Sequence, residues 1–375
     1  MTEVQSETAN VQPLDPDQLE PDDLAEIAEP DPNPESVSYT GTDFDVEGLV
    51  RRLDRGDIVI PTFGEAEDIE TDRFQRNFVW RRPQMDKFIE SLLLGYPIPG
   101  IFLVQQADRR YLVLDGQQRL RTLADFYSGM HDGREFKLQS VGDRFQDLTY
   151  SNLSPEQQRI LDNTFIQATI VKTDGSPESL DSVYQVFERL NSGGTQLTAH
   201  EIRVALYSGP FVEFIREANI EPHWRELYGS VSSRLRDQEL ILRIVALYIS
   251  PGTYRRPLKK FLNDFMARHR ALDTLPVDTV EERLIGAATL IMEGPGPSAL
   301  RLGGGQVNAA LTEAIFVGLA RRLDSDTVPS PEQIQPALDR MHEDESFSTA
   351  ISRATADEEN VRTRLAVATR ALSGV

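Results

Sequence analysis

The segment richest in chemistry is Asp115-Gly116-Gln117-Gln118-Arg119-Leu120-Arg121-Thr122, which follows the apolar run 111–114. An apolar strand that ends in Asp-Gly and turns into a helix places polar side chains at the helix mouth. The first-turn amides there have no intrahelical acceptor and attract anions. Gly116 would let a ligand approach the backbone closely. Arg119 and Arg121 supply planar donors suited to phosphate oxygens, with Gln117, Gln118 and Thr122 beside them. Asp115 is the acid that could hold a metal ion or orient a water. The plainer alternative is that Asp115 caps the helix and the arginines are solvated.

Two further segments have suitable residue types. Phe74-Gln75-Arg76-Asn77-Phe78-Val79-Trp80-Arg81-Arg82 interleaves aromatic and basic side chains, a pattern that stacks a base while pairing a phosphate. It also suits a core segment with Phe78 and Trp80 buried. Phe187-Glu188-Arg189-Leu190-Asn191-Ser192-Gly193-Gly194-Thr195 ends a helix in a polar, glycine-containing turn. Asn191, Ser192 and Gly193 could form an anion-binding nest of amides there, or an ordinary helix stop.

The elements that must position these residues follow from periodicity. Met85, Phe88, Ile89, Leu92 and Leu93 share one helix face, with Pro83 in the first turn and Gly95 at the end. Residues 101–104 and 111–114 predict a strand pair, and 165–171 another strand. Leu120, Leu123, Ala124 and Tyr127 predict a helix closed by Gly129, and Val183, Val186, Phe187 and Leu190 a second. Beyond residue 196 the pattern is helical. Thr198-Ala199-His200-Glu201 has capping-box spacing, and helices are expected over 240–248, 261–266, 280–292, 309–323 and 361–372. The expected fold is therefore α+β, a small mixed sheet with helices over 41–195 followed by an all-helical region over 196–375.

Charge is unevenly distributed. The net charge is −21, yet residues 1–40 hold eleven acidic residues, six prolines and no Lys or Arg. They predict a disordered acidic tail. Residues 225–270 reverse the trend, with ten basic and four acidic side chains. Arg255, Arg256, Lys259 and Lys260 there could contact DNA backbone or line a solvated helix face. Cysteine is absent, which excludes disulfides, thiolate metal sites and a cysteine nucleophile. No stretch is apolar for long enough to cross a bilayer, and the N-terminus lacks a signal pattern, so a cytoplasmic location is expected.

Together the three segments and the run Ile89-Glu-Ser-Leu-Leu-Leu-Gly95-Tyr-Pro97-Ile98-Pro99 resemble the N-terminal domain family of GmrSD-type modification-dependent restriction enzymes, within the ParB/sulfiredoxin-like superfamily. The resemblance runs from about residue 45 to 210. It implies a ParB/sulfiredoxin-like sheet and a domain that binds and hydrolyses nucleoside triphosphate with Mg2+, in restriction of modified DNA or phage defence. It assigns phosphate contacts to Gly116, Gln117, Gln118 and Arg119, and likewise to Gln75 and Arg76. It makes Asp115 the catalytic or metal-orienting acid, acting with Gln118 and Arg119. Sulfiredoxin's own cysteine chemistry is excluded.

Many full-length relatives add a His-Asn-His nuclease module. Here His131, His200, His223, His269 and His342 are scattered without paired metal-ligand spacing, and Gly303-Gly304-Gly305 lacks the Lys-Ser/Thr of a Walker loop. The expectation is a nucleotide-dependent sensor or regulatory component that works with DNA and a separate nuclease or DNA-modification subunit, with self-assembly left open. The alternatives are a non-enzymatic ParB-like DNA-binding module and, third, a nicking enzyme with an unrecognised metal site.

Overall fold

Alternation of apolar residues along three adjacent strands decides how the chain is layered. A computed structural model describes residues 37–61, 80–190, 197–303, 305–325 and 327–375. Strands β1 (Tyr39–Asp45), β2 (Ile58–Val59), β3 (Ile101–Gln105), β4 (Tyr111–Asp115) and β7 (Phe165–Lys172) form one mixed sheet in the order β1-β7-β3-β4-β2. β3 runs antiparallel to β4 and parallel to β7. A side hairpin of β5 (Met130–His131) and β6 (Arg134–Glu135) turns at Asp132 and Gly133, both at positive φ, as a two-residue Asp-Gly loop requires.

Because side chains alternate across a strand, neighbours enter different cores. Leu103, Val113 and Ile170 face one core. It also takes in Met85, Phe88, Ile89 and Leu92 of α2 (Arg82–Leu93) and Leu120, Leu123 and Phe126 of α3 (Gln117–Ser128). α1 (Val46–Asp54) and α4 (Pro155–Asp162) complete that layer, Asp45 capping α1 through a 2.6 Å bond from the Gly48 amide. Val104, Leu112, Leu114 and Val171 face the other core, which continues through the remaining helices. Those helices are α5 (Pro177–Leu190), α6 (Ala199–Leu206), α7 (Pro210–Asn219), α8 (Pro222–Tyr228), α9 (Arg236–Ile249), α10 (Leu258–His269) and α11 (Val277–Glu293). They are followed by α12 (Ala309–Arg322), α13 (Pro331–His342), α14 (Glu345–Ala350) and α15 (Glu358–Ser373). The helical region is thus built onto one face of the sheet.

The expected α+β architecture is what the chain adopts. The helix over 82–93, the strand pair and the capping box are where periodicity put them, and Thr198 and Glu201 exchange bonds of 2.6 and 3.1 Å. One boundary differs. The sheet region expected from residue 41 begins earlier, since Tyr39 and Thr40, the last residues of the expected tail, already pair with Val171 and Ile170 in the edge strand. Edge strands carry little hydrophobic signal, and most of β1 is exposed.

Candidate functional site

The chain leaves β4 at Asp115, passes through Gly116 and enters α3 at Gln117. Gly116 is the N-cap with φ 95° and ψ 10°, and a methyl there would lie 2.5 Å from Ile101 Cγ2. The need for glycine is therefore set by the chain itself, by a left-handed turn pressed against β3, and not only by access for a ligand.

Asp115 does not cap the helix. Among the described residues no side chain caps α3. The Asp115 carboxylate, 53% exposed, instead accepts from Arg119 Nη2 at 2.8 Å through Oδ2. Nor is Arg119 solvated. It is 9% exposed, and its Nη1 donates to the Pro99 carbonyl at 2.6 Å. One guanidinium thus ties the helix mouth to the turn that feeds β3.

The neighbouring polar side chains also hold backbone. Gln118 Oε1 accepts from the Trp80 amide at 3.2 Å, and Trp80 meets Phe88 edge-on at 5.5 Å between centroids. Arg121 Nη2 donates to the Pro61 carbonyl at 3.4 Å. Pro61 and Trp80, distant in sequence, are thereby both anchored to α3. Thr122 is fully buried and its hydroxyl donates to the Gln118 carbonyl at 2.7 Å, so it belongs to the helix packing and not to the mouth. What stays at the mouth is the Asp115 carboxylate, the half-buried Gln117 and the first-turn amides. Gln75 and Arg76, and Asn191, Ser192 and Gly193, lie outside the described residues.

Sequence reasoning missed the acceptors that fix this arrangement, because backbone carbonyls such as those of Pro99 and Pro61 carry no side-chain signature. It also missed Asp86, fully buried on α2, which accepts from the Gln139 and Ser140 amides at 3.0 and 2.9 Å and from Arg82 Nε at 3.0 Å. The Arg-Asp spacing of four on a helix was the available signal.

The basic stretch divides: Arg255 and Arg256 are exposed, whereas Lys259 is drawn inside. Lys259 is 4% exposed, its ammonium 2.9 Å from both Glu188 oxygens. Asn263 is buried and bonds Asp181 at 3.0 Å. Lys260 meets Asp264 at 3.2 Å, Arg256 pairs with Asp357, and Arg255 lies 4.0 Å from Glu358. Local excess of positive charge in sequence is here matched by carboxylates, Asp264 from the same helix and Glu188, Asp357 and Glu358 from elsewhere in the chain.

Among the described residues, no group of three or more His, Asp or Glu is arranged to hold a metal ion. No helix among them is long and apolar enough to cross a membrane. No curated protein matches the chain. Residues 59–208 match the family model described as GmrSD restriction endonuclease, N-terminal domain. That stretch contains the helix mouth, the Pro99 turn and the Trp80 anchor. Over residues 59–208 this chain is therefore similar to the GmrSD restriction endonuclease N-terminal domain family.

Proposed function

We propose that this chain is the nucleotide-handling component of a DNA restriction or phage-defence system, acting on modified DNA with a separate nuclease or modification subunit. The observation that carries it is the α3 mouth: an exposed carboxylate, a left-handed glycine and three first-turn amides in succession, inside the matched domain. The amides of Gln117, Gln118 and Arg119 and the Gln117 side chain would take the phosphates of a nucleoside triphosphate. Arg119 is a positioning residue in this scheme, holding Asp115 and the Pro99 turn, while Gln118 and Arg121 keep the flanking chain in place.

Asp115 Oδ2 is taken by Arg119, and Oδ1 has no hydrogen-bond partner among the described residues. Oδ1 can accept from the water that attacks the terminal phosphorus, as the bond to the bridging oxygen breaks. A single open carboxylate fits Mg2+ of the kind that keeps its waters and is held largely by substrate phosphates, where it would neutralise developing charge. The superfamily likeness to ParB/sulfiredoxin-like domains belongs to the same proposal, as does cytoplasmic residence. A DNA-backbone module using the same arginines draws less support, because Arg119 and Arg121 donate to the chain's own carbonyls.

Calorimetric titration and phosphate release with ATP and GTP test the proposal. Asp115→Asn should lower turnover with little change in affinity. Gln117→Ala should lower affinity instead. Absence of binding and turnover in the wild type, with Mg2+ and with or without DNA, would reject it.

A further inference from the structure

In the C-terminal region α7, α8, α9, α11 and α12 line an apolar cavity of about 320 Å³ that opens to solvent. Its walls include Trp224, Ile241, Ala288 and Phe316, all buried. Trp224 meets Phe316 edge-on at 5.6 Å, and its indole N–H is satisfied by Asn219 Oδ1 at 3.0 Å, so the wall presents carbon and no unspent donor. An open apolar hollow of this size admits a bulky hydrocarbon group.

Two features of its entrance define what would enter. Ile220 and Ile285 stand there 49% and 40% exposed, so the apolar surface continues outside the cavity. A molecule only large enough to fill the hollow would leave them wet, whereas a peptide segment lying across the opening would cover them. The charged residues lining the site are Glu217, Glu221 and Glu281, with no cation among them. Glu221 is engaged, capping α8 through the Trp224 amide and meeting His223. The Glu217 and Glu281 side chains have no ion pair with any described residue. Arg216 and Arg283, the cations nearest in sequence, pair with Glu213 and Asp324.

We infer that this cavity is a docking site for a basic segment of a partner protein, which inserts one bulky apolar side chain beside Trp224 and sets Lys or Arg against Glu217 and Glu281. The central pocket with a polar rim is the arrangement that concentrates binding energy in a few residues. The net charge of −21 favours the approach of such a segment over an acidic one. This inference does not depend on nucleotide binding at α3.

The test uses the full chain and a short synthetic amphipathic helix of Lys and Leu with a central Trp, titrated by calorimetry and by fluorescence anisotropy. Saturable one-to-one binding is expected, and the same peptide with Glu in place of Lys should not bind. Ala288→Trp, which fills the cavity, should weaken binding by at least about tenfold. Should that variant fail to fold, Ile285→Asp on the exposed rim tests the same surface. Glu217→Gln with Glu281→Gln should weaken binding roughly two- to tenfold and flatten its salt dependence. Wild-type affinity in Ala288→Trp and Ile285→Asp would overturn the site. Equal binding of a Lys peptide without Trp and Leu would reduce it to general charge attraction and also overturn it. Tryptamine binding as tightly as the peptide would overturn the commitment to a protein segment.

Discussion

At Gly116 two demands coincide, a φ of 95° and a 2.5 Å approach of any added methyl to Ile101 Cγ2. Gly116→Ala should therefore cost roughly 2–4 kcal/mol from backbone strain and overpacking together. Denaturant unfolding measures it, and a loss below about 0.5 kcal/mol would mean that the turn adjusts freely. Arg119 makes the complementary case. Its two ordered hydrogen bonds, to Pro99 and Asp115, imply that Arg119→Ala loses about 1.5–3 kcal/mol of stability, because a charged donor is removed from a part-buried carbonyl bond. The same variant should also lower nucleotide affinity by letting Asp115 and the turn wander. Reduced affinity with an unchanged melting temperature would instead identify Arg119 as a direct phosphate ligand.

Elements are joined to one another here by single buried carboxylates that accept from several donors. Asp86 on α2 takes two amides from the chain after β6 and one guanidinium, and Arg82 itself stacks over Phe136 at 3.7 Å. Asp86→Ala should cost roughly 3–5 kcal/mol, since it leaves Arg82 Nε and two amides without their acceptor. Thermal melting would show it, and a shift of under a degree would mean that water replaces the carboxylate. Glu313 does comparable work between α9, α12 and α15. Burial opposes its ionisation, yet the Arg243 and Arg364 guanidiniums hold its carboxyl below the usual range. Lys259 with Glu188, and Asn263 with Asp181, join α10 to α5 in the same manner.

For the whole molecule, the sheet's two faces make the helical region and the matched domain share a core, and that core contains polar groups with no partner among the described residues, including the Tyr207 hydroxyl and the His200 ring. His200 is 1% exposed, and neither ring nitrogen has a hydrogen-bond partner among the described residues. Burial, and secondarily the charge of Arg203, hold its pKa well below the ordinary 6.5. The unfolded chain then binds a proton that the folded chain refuses, so stability is full above about pH 6.5 and falls as pH drops below it. His200→Leu removes this penalty and two unsatisfied atoms. Its melting temperature should match or exceed wild type at pH 7, and the decline between pH 6.5 and 5 should be shallower. An unchanged decline would assign the acid sensitivity to other groups, such as the buried His269, whose pKa burial also lowers.

Periodicity in the sequence was enough to locate α2, the β3–β4 pair, the helix after Gly116 and the capped start of α6, because local spacing and caps are encoded within a few residues. The α+β class and the block at 115–119 were legible for the same reason. The roles inside that block were not. Whether Asp115 capped α3 or faced outward, and whether Arg119 met solvent or the Pro99 carbonyl, depended on a turn twenty residues away in sequence. The basic stretch around Lys259 likewise read as a possible open face until Glu188 and Asp181 were brought against it. Sequence records which groups can donate or accept. Only the folded chain decides which of them are already spent on each other, since the partners are carbonyls and carboxylates assembled across long separations.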